Sequence, residues 1–496
     1  MGEARVVPDR HNSGCHLSPF RRQVSGDPTG APVGRAGALL LGVLVIATLV
    51  TTACASTAKK ASSPSTTPAS PPGAQLWVAS YNGPANGAES VFPTQTQMVA
   101  VSPDGSKVFV SGSSEGSTSA NDYATVAYDA ASGRQLWAAR YTGPGRDDDV
   151  AGALTVSPDG TKVFVTGGST GPTTGLDVVT VAYQAGTGAQ LWSARYDGPG
   201  HGNEGGGSIA VDPSGEKVFV TGTSEGAGEM QKTYATLGYD TSNGTQLWAE
   251  RYDAPTGRAS AGSLALSPDG NMVYVTGWAE AASGRKGYAT VAYRASTGSQ
   301  AWVATYGGSG GDNEGRAVAV SPDGSRLYVI GSGASETGLG YTTVAYAKSG
   351  TQLWARTYTS PPKTGSTYAS SIQVSPDGSE VFVAGIGGTA AYGASDGRQL
   401  WMHPGSATAL AVSRNGATIF GTGTAETAGA KTDYATVSYD AVTGKKLWSA
   451  GYNGPASAND GAASIAVSPT GHAVFVTGTS EGAGAGPDLT TVAYSN

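Results

Sequence analysis

Eight residues beyond the tyrosine that ends a recurrent tryptophan segment, the chain repeatedly places a carboxylate: Glu89, Asp149, Glu204, Glu314 and Asp460. Ser260 and Ser366 hold the same rank in two further copies. Converging carboxylates can ligate a hard cation through oxygen or focus a negative potential on a cationic partner. A solvated, turn-stabilising acid copied along with its repeat produces the same pattern. A second series, Glu115, Glu225, Glu280, Glu426 and Glu481, recurs elsewhere in the repeat, and Asp147, Asp148 and Asp149 form the densest acidic run.

Other chemistry is thinner. GSSEG (Gly112–Gly116) and GTSEG (Gly222–Gly226, Gly478–Gly482) match G-x-S-x-G letter for letter. That motif activates its serine only on a strained turn from strand to helix. Here the copies sit between two strand-like segments at equivalent places in the repeat, which marks a loop. His201, His403 and His472 stand at three different repeat ranks, so neither a histidine-based triad nor a zinc site is expected. Cys15 and Cys54 both precede the repeated region, which therefore has no disulfide and no thiolate metal site.

The elements that would position these groups come in copies. From Gln75 onward one unit recurs: an alternating apolar strand, a turn such as SPDG, KVFVTG, a longer polar loop, YATVAYD, a turn such as AATG, then QLWxARY. The SPDG-like turns begin at Ser102, Ser157, Asp212, Ser267, Ser321, Ser375, Ser413 and Ser468, spaced by 55, 55, 55, 54, 54, 38 and 55 residues. Pro presets φ near −65° and Gly supplies a positive φ, so SPDG makes a tight hairpin turn. VFVTG and YATVAY have the β-branched and aromatic content of strands. Four short strands per unit, eight times over, predict a propeller or an open solenoid.

The two ends decide between these. Trp77, Trp137, Trp192, Trp248, Trp302, Trp354, Trp401 and Trp448 mark eight tryptophan strands. The first, AQLWVASY (Ala74–Tyr81), precedes any full unit, and the last unit, ending LTTVAYSN (Leu489–Asn496), lacks one. An N-terminal strand that completes the C-terminal blade reconciles both. An open solenoid would leave two unpaired edges. The expected fold is all-β, an eight-bladed β-propeller of four-stranded blades over 74–496, and a monomer. In such a ring SPDG and AATG share one face, the long loops share the other, and the acidic series lies around the mouth of the central channel. The tryptophans are expected to dock neighbouring blades, each burying about 150–250 Å². Small residues in YATVAY and YATLGY leave room for the neighbour's indole. The short 38-residue spacing predicts a notch in the rim, because VFVAGIGGTAAYGA and LWMHPGSATALAVS lack both long loops.

The segment A-x-D-x-x-S-G-x-x-x-W at Ala127–Trp137 resembles the tryptophan-docking motif of quinoprotein-like (PQQ-type) propellers. Copies stand at Gly238–Trp248 and Ser438–Trp448, with partial ones at Ala182–Trp192, Ala292–Trp302 and Ala391–Trp401. Trp302–Gly331 also resembles the bacterial SBBP-type propeller repeat. Gln184, Arg294 and Gly393 depart from the docking motif's Asp. The quinoprotein resemblance implies a quinone held over the channel by stacking, a calcium ion and a catalytic Asp, with a disulfide of adjacent cysteines in many members. That disulfide is impossible here, and the cofactor residues find no position-by-position match.

The first 54 residues read as a leader. GALLLGVLVIATLV (Gly37–Val50) has the length of a signal-peptide core and is short for a membrane span. Thr51–Cys54 resembles the lipobox of bacterial lipoproteins, with Thr51 where an aliphatic residue is usual, so Cys54 is the lipidation candidate. Cleavage after Ala55, releasing a soluble protein, is the alternative. The Ser/Thr/Pro-rich stretch over 55–73 cannot form a core and reads as a spacer. The formal net charge is −7, and residues 1–53 carry five basic and three acidic side chains, leaving −9 on the remainder. Such a balance repels phosphate backbones, so no nucleic acid is expected.

These readings favour an exported, lipid-anchored, non-catalytic scaffold that binds a protein or another extracellular ligand through its long-loop face. It would meet the membrane only through its anchor and would need no cofactor. A PQQ- and calcium-dependent oxidoreductase and an extracellular glycan binder are the alternatives. The glycan reading rests on Trp278, expected in a long loop, where it would either stack on a sugar or cover a blade edge.

Overall fold

The computed structural model describes residues 70–91, 97–117, 119–226, 228, 231–308, 311–335, 338–359, 368–427, 431–482 and 486–496. The leader, Cys54, Ser366 and most of the spacer lie outside them. β-Branched and aromatic runs punctuated by Pro-Asp-Gly and Thr-Gly turns fold into eight antiparallel sheets, and the described residues contain no helix. No helix among them is long and apolar enough to cross a membrane. Each sheet is a four-stranded blade with its strands in chain order, as in blade 2: Asp149–Val156, Lys162–Thr170, Leu176–Gln184 and Gln190–Tyr196. In blade 1 the innermost strand is split into Glu89–Ser90 and Val99–Val101. Innermost strands of successive blades adjoin one another around a full circle, and the eighth meets the first where Met98 N–H donates to Ser464 Oγ at 3.1 Å.

Blade 8 closes as the orphan segments require. Its strands Asp460–Val467, Ala473–Glu481 and Pro487–Ser495 are completed by Gln75–Tyr81, which pairs antiparallel with Pro487–Ser495 from Gln75 opposite Tyr494 to Tyr81 opposite Leu489. The ring is an eight-bladed β-propeller with no blade left incomplete.

The tryptophans fasten each blade to the next. A register shift on the tryptophan strand, such as the extra Leu136 between Gln135 and Trp137 opposite Tyr128 and Ala127, sits beside every docking indole; such bulges re-aim a side chain. The Trp137 indole N–H donates to Ala185 O of the next blade at 3.0 Å, and Trp77, Trp192 and Trp248 do the same to Ala130, Thr241 and Ala295 at 3.0 Å. Trp302, Trp354 and Trp401 reach Lys348, Ala394 and Ala441 at 3.0, 3.2 and 2.7 Å. Each ring lies on a glycine in the neighbour's last turn. At Gly188, with φ +73°, a Cβ would stand 2.6 Å from the Trp137 ring. For Trp448 the glycine is Gly73, φ +79°, just ahead of the N-terminal strand. The N-terminal segment therefore supplies both a strand and the turn glycine that blade 8 would otherwise lack.

A second lock lies deeper. The buried third-strand tyrosines Tyr234, Tyr288 and Tyr434 donate to Ala289 O, Thr342 O and Thr490 O of the following blade at 3.0, 3.2 and 3.3 Å. On the short-turn face, Ser102 Oγ donates to Asp104 and accepts Lys107 N–H, bracing the SPDG turn internally. In seven of the eight such turns, the turn glycine lies against the proline of the preceding turn, as where a Cβ at Gly160 would meet Pro103 at 3.2 Å; the exception is Gly471, whose preceding turn carries Arg414 in place of proline.

Burial of an indole contributes on the order of 4–6 kcal/mol before entropy is counted. Trp192→Ala is therefore expected to lower unfolding stability by about 3–5 kcal/mol in urea denaturation. Gly188→Ala should also destabilise, because it places a Cβ both in left-handed backbone and inside the indole's contact distance. A Gly188→Ala protein as stable as the parent would show that the docking is dispensable.

Candidate functional site

The recurrent acids are not an open ring. Glu89 and Asp149 are completely buried, and Glu204 and Asp460 are 1% exposed. The expectation of solvent-facing carboxylates around a channel mouth is corrected by the direction in which these side chains turn. Each folds back on the loop that precedes its own innermost strand and on the end of the second strand. Gly83 N–H donates to Glu89 Oε1 at 2.9 Å, Gly143 N–H to Asp149 Oδ2 at 2.5 Å and Gly454 N–H to Asp460 Oδ2 at 2.6 Å. Ser114 Oγ donates to Glu89 Oε1 at 2.9 Å, and Ser224 Oγ and Glu225 N–H donate to Glu204 Oε1 at 3.3 and 3.2 Å. These acids staple the interblade loop to the blade. The glycine of the Gly-Pro pair is obligatory there, since a Cβ at Gly143 would stand 2.3 Å from Ser169 Oγ.

Glu314 does not belong with the other four. Its loop is one residue shorter, so Asn313, 1% exposed, takes the buried place and donates from Nδ2 to Gly307 O at 2.7 Å. Glu314 is half-buried between Lys286 Nζ at 2.7 Å and Arg316 at 2.8 Å. In blade 4 the corresponding buried residue is Ala259, while Ser260 shares a 2.6 Å hydrogen bond with Thr223 Oγ1.

Sequence reasoning missed the partners of these acids. Asp122 and Asp177, each placed immediately before the third-strand tyrosine or its equivalent Val178, are 3% and 1% exposed. Each is held by an arginine of its own outermost strand, Arg140 to Asp122 Oδ2 and Arg195 to Asp177 Oδ2, both at 2.7 Å. Both face the next blade. Burial pushes the Asp149 carboxyl up, and Asp122 of the preceding blade adds to the push. Glu204 is raised by burial, with Asp197 and Asp177 contributing; Glu89 is raised by burial, with Asp488 contributing. The available signal was positional: an Asp just before YATVAY wherever the next unit also carries an acid.

The second acidic series ends the second strands. Glu115 Oε2 accepts Ala88 N–H, Glu225 Oε2 accepts Asn203 N–H, and Glu280 pairs with Arg258 at 3.2 Å. Glu426 is exposed, and Glu481 donates its own backbone N–H to Asp460. Asp147 and Asp148 are exposed, whereas the adjacent Asp149 is buried, so the three do not converge. The G-x-S-x-G copies run in extended strand ends, with no helix to sharpen a nucleophile. The three histidines are apart: His201 bonds Asp197, His403 stacks on Tyr439 at 4.7 Å, and His472 is exposed. Trp278 belongs to the strand Met272–Glu280 and not to a long loop, and the Lys286 ammonium covers its ring at 4.2 Å.

Among the described residues, neither the recurrent carboxylates, which turn into the blade walls, nor the docking indoles, which pack on neighbouring blades, are placed to hold a quinone over the channel. The notch is present: blade 6 has an outermost strand of only five residues, Gln399–His403. The third strand of blade 7 is uncovered there, so that Ala435, Val437 and Tyr439 are half-exposed and line a cavity of about 300 Å³.

The two carboxylate sets titrate in opposite directions. Asp104, Asp159, Asp269 and Asp323 are pulled from the ordinary 3.8 down to about 2 by serine and backbone donors within the turns. Their contribution is present above pH 3.8 and is lost as pH falls towards 2. Glu89, Asp149 and Glu204, raised by burial, stabilise the fold in their protonated forms, a contribution lost as pH rises through their folded pKa values. With a chelator present, the melting temperature is expected to rise as acidification carries Glu89, Asp149 and Glu204 through their raised pKa values, and to fall once the pH drops below about 4. Glu204→Gln should flatten the upper slope; an unchanged slope would show that this carboxyl does not titrate between the two states.

Comparison with known proteins agrees with this geometry. A family model described as outer membrane protein assembly factor BamB matches residues 121–336 and 340–492. Curated proteins provide no match. Among solved structures, Sqt1 from Chaetomium thermophilum is 13% identical, with a TM-score of 0.56 over 86% of this chain and 99% of that one. The C-terminal WD40 domain of Sif2 is 11% identical, with a TM-score of 0.52 over 82% and 98%. BamB from Moraxella catarrhalis is 13% identical, with a TM-score of 0.44 over 85% and 99%. The likenesses to Sqt1 and Sif2 concern the fold alone. With its ring of docked tryptophans and most of its length matched, the chain belongs to the PQQ-like β-propeller family described as outer membrane protein assembly factor BamB.

Proposed function

We propose that this chain is a non-catalytic, protein-binding scaffold of the bacterial cell envelope that engages its partner through the long-loop face. The observation that carries the reading is the asymmetry of the two faces. On one, short turns brace themselves and close on one another proline to glycine. On the other, loops of varied sequence rise from a rigid ring, the usual place for recognition. The family's description, an assembly factor for outer-membrane proteins, supports an envelope role. Lipidation at Cys54, with 55–73 as the tether, would hold the propeller at a membrane surface. The glycan reading loses its support where Lys286 covers Trp278.

Two experiments test this. In pull-downs from an envelope fraction, Glu426→Lys, an exposed charge reversal on the long-loop face, is expected to weaken capture at least tenfold without altering the melting temperature. Lys445→Glu on the short-turn face should leave capture intact. Equal loss from both faces, or retention by the long-loop variant, would remove the face assignment. Separately, the full chain should incorporate radiolabelled fatty acid in cells and Cys54→Ala should not; labelling that survives the substitution would rule out the anchor.

A further inference from the structure

Each buried acid of an innermost strand faces a second acid across the seam between blades, buried at Asp122 and Asp177 and half-buried at Asp433 and Asp488. The residue just before the third-strand tyrosine, or its equivalent, faces the innermost-strand position of the next blade. Where both positions are described, an acid on one side accompanies an acid on the other: Asp122 with Asp149, Asp177 with Glu204, Asp433 with Asp460, and Asp488 with Glu89. Where one is neutral so is the other: Thr233 with Ala259 and Gly287 with Asn313. Two carboxylates forced together in a water-poor seam repel, so joint retention calls for something positive that both can share.

The seam between blades 2 and 3 has the fullest donor set. Carboxylate oxygens of Asp177, Asp197 and Glu204 lie within 4.8 Å of one another. Asp177 Oδ2 accepts from Arg195 and Thr174, and Glu204 Oε1 accepts from Ser224 and Glu225. The other oxygens, Asp177 Oδ1 and Glu204 Oε2, are buried and find no donor among the described residues. An orphaned carboxylate oxygen from each blade thus remains in a seam that is closed to solvent at that depth. Asp197, exposed in the loop between the blades, stands at its outer end with His201 on its Oδ2 at 2.6 Å. Arg195 offsets one of the three negative charges and His201 contacts a second, while Arg251 donates to Ser224 Oγ at 3.0 Å. The other acid pairs have no such third carboxylate: Thr142, Asn82 and Asn453 stand where blade 2 has Asp197.

We propose that Asp177, Asp197 and Glu204 together bind one hard divalent cation of the calcium class, clamping blade 2 to blade 3. All donors are oxygens, which suits calcium or magnesium over softer metals, and water would complete the coordination. The site lies in a seam between two blades, away from the channel where a quinone would sit. It is independent of the scaffold reading: either can fail alone.

The test is calorimetric titration of the full chain, stripped with chelator, against calcium chloride, with magnesium chloride in parallel. One saturable site per chain is expected, together with a rise of several degrees in melting temperature at saturation. Asp197→Asn, an exposed change that does not threaten folding, should weaken binding by about tenfold or more. Glu204→Gln should do the same and should also abolish the thermal shift. Asp148→Asn, in an exposed acidic loop outside the seam, should leave binding unchanged. The proposal is overturned by absence of saturable uptake of either ion, by unchanged uptake in Asp197→Asn, or by equal weakening in Asp148→Asn, which marks a diffuse surface effect.

Discussion

Everything in this ring depends on an indole resting where a neighbour has no side chain. The docking tryptophan is a large apolar plate with one polar atom, and the next blade offers a glycine beneath the plate and, for seven of the eight, a carbonyl for the N–H. Neither half has much value alone. A blade by itself would expose the indole, and a glycine turn in left-handed backbone is a weak element without a cover. Coupling between neighbours therefore supplies stability that single four-stranded sheets lack, and closure gives every blade two neighbours. The N-terminal segment serves this constraint twice, since Gln75–Tyr81 completes the last sheet and Gly73 receives Trp448.

Around that apolar lock lies a polar one with a different cost. Glu89, Asp149, Glu204 and Asp460 hold the interblade loops by accepting backbone and serine donors, and this requires them to be buried. Hydrogen bonds offset part of the desolvation, but a second carboxylate across the seam increases the charge problem. The arginines Arg140 and Arg195 answer half of two of these pairs, Asp122 with Asp149 and Asp177 with Glu204. The orphaned oxygens that remain mark where the electrostatics of this propeller are least settled, and hence where a proton or a cation has the most leverage.

The same architecture separates stability from recognition. The indoles, the buried tyrosines, the SPDG turns and the buried acids are all committed to contacts within the ring. The resources left for partners are the long loops and the notch at blade 6, where a shortened outer strand uncovers Ala435, Val437 and Tyr439. A scaffold with one sealed face and one variable face can change its partner by loop substitution without disturbing the ring.

Period, strand content, blade number and the closing strand were all legible in the sequence, because each depends on local spacing and on a count of copies at the two ends. The tryptophan role was legible for the same reason: its motif lies within one turn and strand. The rim notch followed from a 38-residue spacing. Tertiary structure alone decided where the acids point. A rank counted from Tyr306 selected Glu314, whereas a loop one residue shorter puts Asn313 in the buried place, and sequence spacing carries no information about such a slip. Trp278, likewise, became a strand residue under Lys286 only once its register opposite Tyr288 was fixed. The pairing of Asp177 with Glu204 joins different blades, and burial and mutual approach across a seam arise from packing between units that no single repeat encodes.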